Sequence, residues 1–147
     1  MYKKFAQMLF SATGALVLQA TAATAGWVSY GETNPITSRN STWECQRTQS
    51  VSTNVEVQVC TVRSASGTDV QGAIIVWNNN TYLYSTNARM TVYYEYGNVR
   101  GDWSCRWSGV AAHSWSVCFG STFAARGYRY STEGYANGKY LGTTWYN

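Results

Sequence analysis

The chain has one proline, one histidine and only 12% charged residues. A polypeptide with so little proline and charge and with 16% aromatic residues does not have the composition of a disordered tail. A lone His113 and the absence of any Cys-x-x-Cys pair exclude the usual zinc spacings. No metal and no cofactor is expected. No segment repeats its apolar residues at helical period, which leaves strands as the only regular element. The longest apolar run, Phe5 to Leu18, is broken by Gln7, Ser11, Thr13 and Gly14. It is too short and too interrupted for a membrane span.

That run comes after Lys3 and Lys4 and leads into Ala-Thr-Ala at Ala20 to Ala22 and again at Ala23 to Ala25. A charged start, a short apolar centre and a small-residue site read as a signal peptide over 1–25, cleaved after Ala25. The expected address is secreted: extracellular, or periplasmic if the source has an outer membrane. Without Lys3 and Lys4 the formal +4 falls to +2, a field too weak to argue for nucleic acid. Residues 26–147 have the length of one domain.

All four cysteines fall into one pattern. Trp43-Glu44-Cys45 leads to Val59-Cys60, and Trp103-Ser104-Cys105 leads to Val117-Cys118. Cys60 to Cys118 and Leu83 to Leu141 share one offset, so an internal duplication is expected over about 43–90 and 103–147. Each unit reads as a disulfide-closed hairpin, predicting Cys45 with Cys60 and Cys105 with Cys118 in an exported chain.

Between the cysteines the period is two. Val55, Val57 and Val59 alternate with Glu56 and Gln58, with Arg47 expected opposite Gln58 on the strand Trp43 to Gln49. Val70 to Asn78 is apolar enough to be central, and Thr81 to Ser85 and Met90 to Tyr96 read as two further strands. Trp27 to Tyr30 predicts an edge strand, and Phe123 to Gly134 a single long one. Asn137-Gly138 supplies the two left-handed residues of a tight hairpin before the last strand, Lys139 to Tyr146. The expected fold is all-β: a small sandwich or barrel of two duplicated units, its core built from Val57, Val59, Ile74, Val76, Leu83, Val117 and Leu141.

Chemistry-bearing groups are sparse. His113 and Ser114 are neighbours in sequence, and neighbouring strand residues point to opposite faces, so they do not form a triad by adjacency. Glu44, Glu56, Glu95, Asp102 and Glu133 could supply a glycosidase-like carboxylate pair if two met across a groove. The aromatics are more distinctive. On the second hairpin Trp103 and Trp107 should share the disulfide's face, with Trp115 on the other, so one aromatic set is expected at the surface. Arg106, Trp107, His113 and Trp115 are the candidate binding residues. Arg106-Trp107 between Cys105 and Cys118 resembles, as a device, the disulfide-closed hairpin of tendamistat-type secreted amylase inhibitors. A Trp-Arg-Tyr run is lacking and the chain is longer, so the resemblance implies no transferred function.

Together these features read as a secreted, non-enzymatic binding protein. It would be inhibitor-like, carbohydrate-recognising, or a small subunit of an exported assembly, with an extracellular protein or glycan as partner. The alternative is a small secreted hydrolase or antibacterial toxin using a carboxylate pair.

Overall fold

The structure, a computed structural model, describes residues 26–29 and 41–145. The expected signal peptide, Tyr30 and Tyr146, the expected end of the last strand, lie outside the described residues. Within them the chain is all-β, in the strands β1 (Gly26–Ser29), β2 (Thr42–Cys45), β3 (Gln49–Ser52), β4 (Val55–Arg63), β5 (Asp69–Asn78), β6 (Tyr84–Tyr94), β7 (Asn98–Val110), β8 (Ser114–Phe119), β9 (Phe123–Ala124), β10 (Tyr130–Ala136) and β11 (Lys139–Thr143). Two sheets form. Sheet A runs β1-β8-β5-β4-β2, with β3 on β4 and β9 on β5, and sheet B runs β11-β10-β6-β7.

The alternation in β4 explains the layering. Val55, Val57 and Val59 are fully buried together with Ile74 and Val76 of β5, and against them sheet B sets Ala88, Met90, Cys105, Ala136 and Leu141. Each such valine or isoleucine taken from water contributes about 2 kcal/mol. The sheets pack tightly where β10 crosses β4. A Cβ on Gly134 would lie 2.7 Å from Val59 Cγ2, so only glycine lets the two backbones approach this far. Thr61 adds a buried polar link between the layers, its hydroxyl 2.7 Å from those of both Thr132 and Thr144.

Both disulfides join the expected cysteines. They are not equivalent. Cys45 and Cys60 are directly opposed on β2 and β4 of sheet A, with Cα atoms 4.0 Å apart. Cys105 lies on β7 of sheet B and Cys118 on β8 of sheet A, with Cα atoms 5.9 Å apart, so this bridge staples one layer to the other. The second hairpin expected from the sequence therefore does not exist as a pair. β7 spends its hydrogen bonds on β6, and β8 on β1 and β5. The two Trp-x-Cys units have different topologies, and the hairpin analogy with the amylase inhibitors goes with them.

Other expectations shift for local reasons. The strand Trp43 to Gln49 splits at Gln46 to Thr48, so Arg47 stands exposed and outside the ladder instead of opposite Gln58. Tyr84 and Ser85 join Met90 to Tyr94 in one long β6, while Thr81 to Leu83 stay outside any strand, and β6 runs into a turn with Glu95, Tyr96 and Gly97 at positive φ. Phe123 to Gly134 is broken by a second left-handed turn at Arg126 and Gly127. Leu83 is 64% exposed and lies over Gly109, while Val117 packs with Cys60, Val62, Ala73 and Phe119 on the other side of sheet A. Neither belongs to the inner core. Asn137 and Gly138 do take φ of 49° and 76°, as the turn chemistry requires. The Asn137 side chain also clamps β6: Oδ1 accepts from Thr86 Oγ1 and Asn87 N, and Nδ2 donates to Tyr84 Oη and Ser85 O.

Candidate functional site on the outer face of sheet B

Residues of β6 that alternate with the buried Ala88 and Met90 point away from sheet A. Their cross-strand neighbours form rows. Tyr140, Tyr135, Arg89 and Ser104 lie side by side across β11, β10, β6 and β7. The next row runs Thr143, Glu133, Thr91 and Asp102. This face thus carries aromatic rings, cations and carboxylates in the spacing of adjacent strands, close to 4.8 Å.

A bulge completes it. Ala88 pairs with Cys105 and Thr86 with Ser108, so Asn87 alone faces both Arg106 and Trp107. Two residues against one reverses the alternation and re-aims the side chains beyond it. Simple alternation from Cys105 would turn Trp107 inward with the disulfide. Instead Trp107 is 63% exposed, and Trp103 is the ring that goes in, stacked on Phe123 at 6.1 Å with its Nε1 donating to Ser121 Oγ. The bulge is tied down from below, because Trp27 Nε1 of sheet A donates to the Arg106 carbonyl at 2.7 Å. Beside it, Asn87, Arg89, Ser104, Arg106, Trp107 and Tyr135 line an open depression of about 680 Å³.

The polar groups are only loosely engaged. Arg89 Nη2 is 3.9 Å from Asp102 Oδ1, both side chains being more than half exposed, a pair worth under ~1 kcal/mol. Thr91 Oγ1 donates to the same carboxylate oxygen. Tyr93, flanking this row, has its phenol pushed up first by burial and then by the Glu133 carboxylate. Tyr135 and Tyr140 sit ring to ring at 5.2 Å, with Tyr140 Oη 3.1 Å from Thr143 Oγ1.

Of the four residues singled out in the sequence, Arg106 and Trp107 share this depression. His113 does not join them. It occupies a turn at φ 50°, its backbone N donating to Asn80 O and its Nδ1 3.3 Å from Asn79 Oδ1. Trp115 is on sheet A, stacked on its cross-strand neighbour Trp77 at 5.2 Å and 14°. Tyr135 and Tyr140 were legible as aromatics on strands expected beside the second hairpin, but Arg89 escaped sequence reasoning, since nothing in a period-two pattern says which side chains meet across strands. Among the described residues no group of three or more His, Cys, Asp or Glu side chains could hold a metal ion.

No family model matches the chain, and no curated protein does. Among solved structures it is similar to a Bacteroides fragilis protein provisionally described as a β-galactosidase, at 15% identity and TM-score 0.41, over 76% of this chain and 16% of that one. It is also similar to a calcium-binding mutant of β-glucuronidase 2 from Bacteroides uniformis, at 11% identity and TM-score 0.38, over 86% of this chain and 14% of that one. The chain therefore spans about a sixth of the length of either.

Proposed function

We propose that the protein is a secreted, non-enzymatic carbohydrate-recognising module whose binding face is the outer surface of sheet B. The observation that carries this is Trp107, held out on a bulge beside Arg89, Arg106 and Tyr135. The axial C–H groups of a pyranose are weakly positive and the face of an aromatic ring is negative, so an exposed indole is a platform for a sugar ring. The surrounding guanidinium, amide and hydroxyl groups then answer the sugar hydroxyls. Tyr135 and Tyr140 extend the platform across two more strands, which suits a chain of sugars.

A glycan array probed with the parent and with Trp107→Ala tests it. The parent should bind a subset of oligosaccharides, and the variant should lose about thirtyfold in affinity, ~2 kcal/mol. Absence of any glycan ligand, together with recovery of one stoichiometric protein from culture supernatant, would replace this reading with that of an assembly subunit.

One observation favours the hydrolase reading. Asp102 and Glu133 flank Thr91 in a single row, their backbones two strand spacings apart, or roughly 9–10 Å, a spacing from which two side chains can reach the carboxyl separation of inverting glycosidases. Release of reducing sugar by the parent, abolished in Glu133→Gln with glycan binding retained, would establish it.

A further inference from the structure

The opposite end of the sandwich from the Asn137-Gly138 turn gathers three arginines around tyrosines. A cavity of about 460 Å³ opens there, with Tyr94, Arg100, Arg126, Tyr128 and Tyr130 in its wall. Arg100 lies 4.6 Å over the Phe123 ring, which fixes its guanidinium against the rim. Arg126 is presented by a left-handed turn, φ 49° followed by Gly127 at 74°. That turn is pinned by Tyr128 N and Tyr130 Oη, which both donate to Ala125 O at 3.0 and 2.8 Å. Beneath them Arg63 approaches the Tyr130 ring at 5.8 Å while its Nη1 and Nη2 donate to Gly67 O and Tyr128 O.

Among the described residues no carboxylate is part of the wall. The acids on neighbouring segments are turned elsewhere: Glu95 Oε1 accepts from Arg129 N at 3.0 Å, and Asp69 Oδ2 from Thr68 Oγ1 at 3.0 Å. Arg100 and Arg126 both line this one volume, and Arg63 lies behind it against the Tyr130 ring. Like charges gathered in a recess repel, and an oxyanion between two planar guanidinium forks removes that cost with charge-assisted hydrogen bonds. The recess is also far larger than a bare oxyanion, and Tyr128, tilted against Tyr94 at 5.4 Å and 44% exposed, offers it an aromatic wall.

We propose that this cavity binds an acidic sugar, a pyranose ring carrying a carboxylate or a sulfate, with the oxyanion between Arg100 and Arg126 and the ring against Tyr128. It lies five residues along β6 and β10 from the row of Arg89 and Tyr135, roughly 16 Å. It is a second site, and it stands or falls separately from the Trp107 face.

Titration of the full chain with four probes, monitored by NMR shifts of the Arg126 and Tyr128 amides, tests it. Glucuronate or a sulfated monosaccharide should bind, glucose should not, and inorganic sulfate alone should bind several-fold more weakly than the sulfated sugar. Arg126→Gln should weaken the acidic-sugar contact about tenfold, the size of one lost charge-assisted bond. Arg100→Gln should do the same, and because Arg100 also packs on Phe123, Arg126→Gln is the deciding variant if Arg100→Gln fails to fold. Trp107→Ala should change nothing here. The proposal is overturned if glucose binds as well as glucuronate, if inorganic sulfate binds as tightly as the sulfated sugar, if no probe binds, or if a folded Arg126→Gln retains parental affinity.

Discussion

Opposite Asn87, β7 carries one residue more than β6, and that surplus decides where Trp107 points. Trp107→Ala removes a mostly exposed ring, so its melting temperature should stay with the parent's, within about 0.5 kcal/mol of stability, while the proposed glycan binding weakens about thirtyfold. Deleting Arg106 should restore alternation, drive the indole toward the core and lower both, readable by tryptophan fluorescence and thermal melts. The sequence showed Trp107 as one of several hairpin aromatics with no means of seeing the bulge, since a period-two pattern counts residues and cannot tell which one is unpaired. Tyr130 gives a separate residue-scale test. Burial pushes its phenol above the ordinary tyrosine range, against the pull of Arg100, Arg63 and Arg126. An acid whose folded pKa is raised contributes stability that is complete below the unfolded value, near 10, and is lost as pH rises through the folded one. Urea midpoints should therefore hold up to about pH 10 and fall above it, and Tyr130→Phe should flatten that fall.

At the scale of strands the two disulfides are similar closures of chain, with separations of 15 and 13 residues. Each is worth about 3 kcal/mol in the chain-entropy model. Their positions predict different consequences. Cys45–Cys60 fastens β2 to its neighbour in one sheet, so replacing both cysteines by alanine should lower the denaturation midpoint and leave the proposed sugar binding intact. Cys105–Cys118 reaches between layers one residue before the bulge, so the matching double replacement should lower the midpoint and weaken binding at Trp107 as well. Cysteine spacing was enough to read the pairing. It was not enough to read the partner strands, because a bridge of this length spans two stacked sheets as readily as two paired strands. The Asn137-Gly138 hairpin was legible for the contrary reason: its turn chemistry is local.

At the scale of the molecule, the described residues form a two-layer sandwich with glycine at a close contact between the layers. Alanine at Gly134 would place its methyl group 2.7 Å from Val59 Cγ2 and push β10 off β4. Overpacking of this kind costs about 1–3 kcal/mol, and Gly134→Ala should show it as a lower melting temperature with the strand content unchanged by circular dichroism. The all-β class and most of the inner valines were readable from alternation, but the layering was not. Cys60, Val62, Ala73, Val117 and Phe119 form an apolar cluster on the far side of sheet A, so two faces of one sheet look equally core-like in sequence.

The clamp at Asn137 also sets how the molecule ages. Asparagine followed by glycine is the pair most prone to lose its amide, because the small residue lets its backbone nitrogen attack the side-chain carbonyl and close a succinimide. Here that carbonyl oxygen accepts from Thr86 and Asn87 and the amide nitrogen donates to Tyr84 and Ser85, so ring closure must wait for the turn to let go of β6. Deamidation at Asn137 then becomes a clock that runs only while the hairpin is open. Peptide mapping after prolonged storage should find the site slower to convert in the folded protein than in the same tryptic peptide, and Tyr84→Phe, which removes one of the four holds, should speed it.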